Sequence, residues 1–347
     1  VLENEGTFIA EKSFNLIVQA GQANEINIPQ NMLKYNCNSE FVLTVYAQLK
    51  QDKKWALKGH QICFVQHIFP YSAEIKKCAA NKKEVQIAYG DFAVGIHGKD
   101  FSMIFDRGKG GITSLVYDQK EYISVVPKVS FHRATTDNDT GCGFNRKSSQ
   151  WQIAGKYSQL ISSDFIENEQ DGFIEAKYKF ITPTTPSFEY LIIYKAYFDG
   201  KLEVQIEYAG MENAPEYFKD MPIFAIDFKL KKENCYFEFY GKGPEENYID
   251  RNCGAKIGLF KSSAQENLSG YLNPQECGNR TDVRFVKVYD KNNLGIKFSA
   301  TDKTFEMSVL PYSSYELENA LHLQDLPEQN YTWVRIAAKQ MGVGGDD

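Results

Sequence analysis

In Ile174-Glu-Ala-Lys-Tyr-Lys-Phe180, apolar Ile174, Ala176, Tyr178 and Phe180 alternate with Glu175, Lys177 and Lys179. Successive side chains of a strand point to opposite faces, so this rhythm predicts a strand with one buried and one wet face. The same period of two runs through residues 41–49 and 202–208. Polar, Gly-containing turn signals at 106–111, 198–200 and 291–295 separate further strands. Helical periodicity is nearly absent. The one candidate is 312–323, where Ser313 and Glu316 fit a capping box. No alternation of strand and helix units appears, which excludes a parallel sheet or an α/β barrel. The expected class is all-β, built from antiparallel sandwiches.

Bulk properties agree. The chain has 347 residues, 43% of them hydrophobic, and 14% are aromatic, with 24 Phe and 21 Tyr. Such residues fill pleated sheets well. The net charge of -6 and pI near 5.6 give no basic stripe for nucleic acid. No run of 18 apolar residues offers a membrane span. Val1 is not an initiator Met, so further residues are expected before it. Seven Cys at irregular spacing form no CxxC pair, and the expectation is buried or half-buried free thiols. The five His, at 60, 67, 97, 132 and 322, form no HxH or HExxH, so no metal site is expected.

The alternation lapses between about 70 and 86. The expected organisation is a partial sandwich over 1–72, a linker over 73–85 and one large sandwich over 86–347. An immunoglobulin-like sandwich uses about seven strands in roughly 100 residues, so the first region is too short to be complete.

Three polar segments stand out. In Phe131-His-Arg-Ala-Thr-Thr-Asp-Asn-Asp-Thr-Gly141, a His, an Arg and two Asp fall within eleven residues. They suit either vicinal sugar hydroxyls or an Asx-rich turn that satisfies its own backbone. In Tyr240-Gly-Lys-Gly-Pro-Glu-Glu-Asn-Tyr-Ile-Asp-Arg251, the Gly-x-Gly lacks the continuation a phosphate loop needs. Glu245 and Glu246 are adjacent and face opposite ways on an extended chain. They do not form a carboxylate pair about 5–5.5 Å apart across a glycosidic bond. In the third, Asn273–Arg284, Arg280, Asp282 and Arg284 alternate as if on one strand face. That row is either a paired, solvated face or a ligand site. Trp55 and Trp333 are expected to pack in or against cores, while Trp151, behind a polar loop, is left open.

Taken together, Arg133-Ala-Thr-Thr-Asp-Asn-Asp-Thr-Gly141, Trp151 with Ala154-Gly-Lys-Tyr157, Gly241–Arg251, Pro274-Gln-Glu-Cys-Gly-Asn-Arg-Thr-Asp-Val-Arg284 and Met341-Gly-Val-Gly-Gly-Asp-Asp347 resemble the large β-galactosidases of glycoside hydrolase family 2. The stretches come in the family's order, and Lys58-Gly-His60 matches its preceding immunoglobulin-like domain. The resemblance implies a large antiparallel supersandwich, galactose mutarotase-like, cut short at its C-terminus, behind that partial immunoglobulin-like β-sandwich. It implies that both catalytic carboxylates, and the magnesium and sodium ligands, lie on a barrel N-terminal to this region. No catalytic, metal or cofactor residue is then expected here. Arg133, Asp137, Asn138, Asp139, Gly141, Cys142 and Gly143 would form the rim of the substrate pocket, with Gly141 the hinge of a loop reaching about Ser148. Trp151, Gly243, Pro244, Glu246, Asn247, Asp250, Arg251, Glu276, Gly278, Asn279, Arg280, Asp282, Arg284, Gly345 and Asp346 would be structural. The implied partners are a β-galactoside, met through the barrel, and further copies of the chain in a homo-oligomer, with no nucleic acid and no membrane. Two departures are Cys277, where the family commonly has Asn, and the end at Asp347, before the family's Ser-Trp. A galactose-binding module, or an aldose epimerase using His132 and His322, are the alternative readings.

Overall fold

The computed structural model describes residues 1–30, 38–71, 82–211, 214–218 and 220–344. The chain divides into two units, one of Val1–Lys76 with Lys256–Phe260 and one of Lys77–Ala255 with Lys261–Asp347. The predicted linker over 73–85 lies largely outside the described residues, as do Gly345 and Asp346.

The first unit holds one antiparallel sheet, in the order Thr7–Ala10, Leu2–Asn4, Phe41–Gln48, Gln61–Ile68. Its core is small: Leu2, Phe41, Leu43 and Phe69, with Ile28 packed against them. Towards its far end Val45 and Val65, direct cross-strand partners, are both exposed. Trp55 departs from expectation. It is 67% exposed and touches the His60 ring edge-on, because it sits in the hairpin tip rather than over the sheet.

The second unit is all-β with antiparallel pairing throughout its recorded ladders. One sheet runs Lys128–Ser130, Ile223–Lys231, Tyr331–Gln340, Phe305–Leu310, Arg280–Val283. A second is a meander of Gln159–Asn168, Phe173–Ile181, Glu189–Tyr197 and Leu202–Glu207. A third runs in sequence order from Gln86–Tyr89 to Lys120–Glu121. Phe285–Tyr289 lies between Tyr236–Gly243 and Gly295–Ser299 in a fourth.

The stretch that set the expectation is a strand whose burial alternates without exception across Phe173–Ile181. Its inward residues face inward residues of the next strand, Ala176 opposite Tyr194 and Phe180 opposite Tyr190. All three predicted turns are hairpin connections. Each opens with an Asp carboxylate that accepts a backbone amide two residues on: Asp106 from Gly108 at 2.8 Å, Asp199 from Lys201 at 3.0 Å, Asp290 from Asn292 at 2.8 Å. That Asx geometry sets each reversal locally.

Helix was underestimated. The predicted capping box does start a helix, Ser314–Asn319. Three further short helices, Asp137–Gly141, Phe144–Lys147 and Ser149–Ala154, follow one another across a loop with no apolar period to announce them. They are stabilised by what they touch. Trp151 stacks on Phe218 with ring centres 4.4 Å apart and planes 8° from parallel. Phe131 packs against Trp151, Phe188, Tyr190, Tyr208 and Phe224. This aromatic cluster ties the meander to the Ile223–Lys231 strand and anchors the chain at the start of the first polar segment. Trp151→Ala is expected to cost about 3–5 kcal/mol. Urea denaturation checks this, and a loss below about 1 kcal/mol would show that the stack bears little of the fold.

Candidate functional site

Phe131 leaves the aromatic cluster and delivers His132 and Arg133 into the interior, where both are buried. Thr136 then starts the helix Asp137–Gly141. Its hydroxyl accepts the Asp139 amide at 3.1 Å, and the Asp139 carboxylate accepts the Thr136 amide at 2.9 Å. The second carboxylate oxygen of Asp139 takes Arg133 Nη2 at 3.1 Å. One carboxylate thus caps the helix and neutralises the guanidinium.

Arg133 Nη2 also donates to the Gly342 carbonyl at 2.8 Å. Asn138 holds the Val343 carbonyl at 2.9 Å. From the other side one Asp250 oxygen accepts the Val343 and Gly344 amides at 2.8 and 2.7 Å. Gly342 must be small, since a Cβ there would lie 2.6 Å from the Asp250 carboxyl carbon. Two segments far apart in sequence, the first and second polar segments, therefore grip one strap, Gly342–Gly344, by its backbone. Gln275, from the third polar segment, closes the arrangement by a two-way bond with Asp137, at 3.1 and 3.0 Å.

The second and third segments interlock in the same manner. The Asn247 side chain donates to the Lys242 and Glu245 carbonyls and accepts the Thr281 amide and hydroxyl. Asn279 returns a bond to the Asn247 carbonyl at 3.0 Å. Glu246 turns inward to the Gly278 amide at 2.7 Å and to Arg251, while Glu245 is exposed, so the two adjacent carboxylates diverge. Gly278 has φ +75° and no room for a Cβ beside Asn267.

The predicted charge row on one strand face is corrected. Asp282 has φ +56°, which breaks the strand's alternation. Arg280 is buried and donates to the Pro244, Gly278 and Asn279 carbonyls, whereas Arg284 pairs with Asp282 at 3.0 Å. The row is neither solvated nor continuous, because the bulge turns Arg280 inward to satisfy backbone that has no ladder partner.

Beneath this layer lies a second set of charges. Arg335 forms a bidentate pair with Asp227, at 2.8 and 3.1 Å, bonds Ser314, and lies 3.6 Å from the Glu276 carboxylate. Burial opposes the Arg335 charge, but Asp227 and Glu276 more than offset it. Burial raises the Glu276 carboxyl above its usual range, against the pull of Arg335 and Arg133. Burial, with both guanidiniums near, lowers His132 to about 3, so it is neutral at physiological pH. Cys277, which stands where the resemblance has Asn, is buried, and burial pushes its thiol up to about 12. Cys63, Cys142 and Cys253 are exposed rather than buried, being in an edge strand or loops.

Of the expected rim residues, Asp137, Asn138, Gly141 and Cys142 are exposed, Gly143 is half-buried, and Arg133 and Asp139 are interior. Gly143 adopts φ +74° and permits the turn into Phe144–Lys147. The Cys142 thiol reaches back to the Asp139 carbonyl. His132 is buried and His322 is exposed beside Asp325, so the two do not share a surface. Sequence reading missed Gln275, Asp227, Arg335 and Glu318, whose carboxylate accepts the Thr135 amide at 2.6 Å. Arg335, a lone charge inside Tyr331-Thr-Trp-Val-Arg-Ile-Ala, carried a legible signal. Among the described residues no group of three or more His, Cys, Asp or Glu could hold a metal, and no helix is long and apolar enough to cross a membrane.

Residues 97–347 match the family described as the β-galactosidase small chain. The chain belongs to that family. Residues 1–70 match the family described as β-galactosidase domain 4. Among relatives, the β-galactosidase of Halalkalibacterium halodurans is 37% identical over 349 residues, covering all of this chain and 34% of that protein. That of Streptococcus thermophilus is 34% identical over 343 residues, covering 99% and 32%. The β-galactosidase small subunit of Latilactobacillus sakei is 30% identical over 297 residues, covering 78% of this chain and 92% of that one. The chain spans about a third of the length of the first two.

Two outcomes follow from this geometry. Arg133→Ala strands Asp139 in the interior and is expected to cost about 3–5 kcal/mol. Asn138→Ala, which loses an exposed bond, should cost under about 1 kcal/mol. Equal losses in urea denaturation would contradict the assignment. For His132, the unfolded chain takes up a proton near the ordinary value of 6.5, and the folded chain only near 3. The His132 contribution is therefore complete above pH 6.5 and is lost as pH falls toward 3, at up to about 1.4 kcal/mol per pH unit. His132→Gln should flatten that part of the stability profile, and an unchanged profile would refute it.

Proposed function

We propose that this region is the accessory, non-catalytic part of a retaining family 2 β-galactosidase that hydrolyses terminal β-D-galactosides. Residues 1–72 are then part of an immunoglobulin-like domain and 86–347 a mutarotase-like supersandwich. The observation that carries this reading is how five of the seven carboxylates of the polar segments are engaged, the exceptions being exposed Glu245 and buried Glu276. Asp139 is bound to Arg133, Asp250 to the strap amides, Glu246 to Gly278 and Arg251, Asp137 to Gln275 and Asp282 to Arg284. Retaining hydrolysis needs a nucleophile and an acid/base about 5–5.5 Å apart, free to change protonation and to form a bond. Groups fixed in caps and ion pairs serve architecture instead.

In this reading the polar segments form a wall at the mouth of a barrel that carries the catalytic pair with its magnesium and sodium. The stretch from Gly141 to Ser148, exposed at Gly141, Cys142, Arg146 and Lys147, is the adaptable part of the rim, and the region also supplies contacts between copies of the enzyme. The name of the Latilactobacillus sakei relative, a small subunit, is consistent with such a region working beside a separate catalytic chain.

The first test is hydrolysis of a chromogenic β-galactoside by this chain at high protein concentration. No turnover above buffer is expected, and turnover that survives repurification would overturn the proposal. In the complete enzyme, Gly141→Ala has open space for its new methyl and should leave stability unchanged within about 0.5 kcal/mol. Its kcat and KM should shift together if Gly141 is the hinge of a rim loop. Unaltered kinetics would remove the loop from the rim.

A further inference from the structure

A cavity of about 120 Å³, partly open to solvent, lies within the second unit and draws no residue from the three polar segments. Its inner wall is apolar. The meander contributes Leu160, Phe180, Tyr190 and Ile192, the last three of them buried. The Phe180 and Tyr190 rings stack with centres 5.2 Å apart and planes 11° from parallel. Leu160 reaches the wall beside an irregularity, since its strand slips register between Leu160 and Ser162 and leaves Ile161 without a ladder partner. A bulge bends its strand and re-aims the side chains beside it, and bulges gather next to functional sites.

Two glycines fix the walls. A Cβ on Gly110 would lie 2.6 Å from Phe180 Cζ, and one on Gly155 would lie 2.0 Å from the Val129 carbonyl oxygen. Gly155 belongs to the Ala154–Tyr157 stretch that the sequence singled out. Backbone already packed this closely does not shift inward to fill the space, and surroundings relax only partly around a void.

The polar groups of the wall are few, and their charge has one sign. The hydroxyls of Ser158 and Tyr190 belong to it, and burial pushes the Tyr190 hydroxyl up to about 12, so it stays a donor at neutral pH. Lys109 and Lys128 stand at the rim, both exposed. Lys128 Nζ rests on the Lys156 carbonyl at 3.3 Å rather than on a carboxylate. Among the described residues no Asp or Glu lines the cavity. The carboxylates adjoining it in sequence are engaged elsewhere. Asp106 takes the Gly108 and Lys109 amides at 2.8 and 2.7 Å, and Glu189 pairs with Lys179 at 2.7 Å.

We propose that this cavity is a binding site for a small aromatic carboxylate, with its ring against Leu160, Ile192 and the Phe180–Tyr190 pair and its charge toward the lysine rim. An apolar cavity of about 150 Å³ holds benzene. One of about 120 Å³ with an open side takes a single ring whose charged group stays at the mouth. The stacked pair offers the ring an aromatic edge and face. A sugar is a poor occupant, because an apolar wall leaves most of its hydroxyls without partners. The site is separate from the proposed galactosidase role and does not depend on it.

Saturation-transfer NMR of this chain with benzoate, benzamide and acetate is the test. Benzamide keeps the ring without the charge, and acetate keeps the charge without the ring. Expected is benzoate binding at millimolar concentration, with each of the other two weaker by about fivefold or more. Lys109→Ala combined with Lys128→Ala, at two exposed positions, should lower benzoate to the level of benzamide and leave benzamide unchanged. A crystal soaked with benzoate should show its ring against Phe180. Absence of benzoate binding would overturn the proposal. So would benzamide binding as well as benzoate, a double variant that binds benzoate as before, or a ring seated elsewhere in the crystal.

Discussion

The Arg133–Asp139 ion pair is the contact on which the polar half of this molecule depends. It sits where a strand has ended and no sheet partner remains for the backbone. Asp139 closes the first turn of a helix with one oxygen and holds Arg133 with the other, and Arg133 reaches on to the Gly342 carbonyl. A charge buried this deeply is tolerable only when paired and further hydrogen-bonded. The pair therefore fixes the relation of two stretches of chain more than 200 residues apart.

The same logic explains why the polar segments are so rich in Asn, Asp, Gln and Gly. Irregular backbone inside a protein still has to satisfy its N–H and C=O groups. Asn247 serves four groups of the neighbouring chain, and Asp250 two amides of the strap. An amide side chain offers both donors and acceptors and so imitates the missing strand. Gly342 and Gly278 are small where a partner must approach closely. A composition that looks like a ligand site is here, for the most part, a self-satisfying joint. The surface left over is the exposed turn after Gly141 and the outward groups of Asp137 and Asn138.

The aromatic cluster around Phe131 plays the complementary part. It holds the approach to Arg133 by dispersion and shape, with Trp151 stacked on Phe218 from the helical side. Polar bonding is directional but contributes little net stability per bond, whereas burying rings contributes much and directs little. The first polar segment is placed by both, aromatic packing on one side and the charge pair on the other.

The sequence by itself determined the all-β class, the strands at 41–48, 173–181 and 202–207, the hairpin turns and the capped helix at Ser314, because these are local. Period two, Asx turns and capping boxes are set by neighbours within a few residues. It also marked the polar segments that meet, since their residue types differ from those of strands. What it left open was their purpose, a sugar site or a backbone-satisfying turn, and it misjudged the row from Arg280 to Arg284. It did not reveal the three short helices, the burial of Trp151 or the Arg335–Asp227 pair. Those depend on which distant groups come within bonding distance, and only the tertiary structure decides that. A side chain's partner is chosen in space, and burial sets whether its charge is tolerated there.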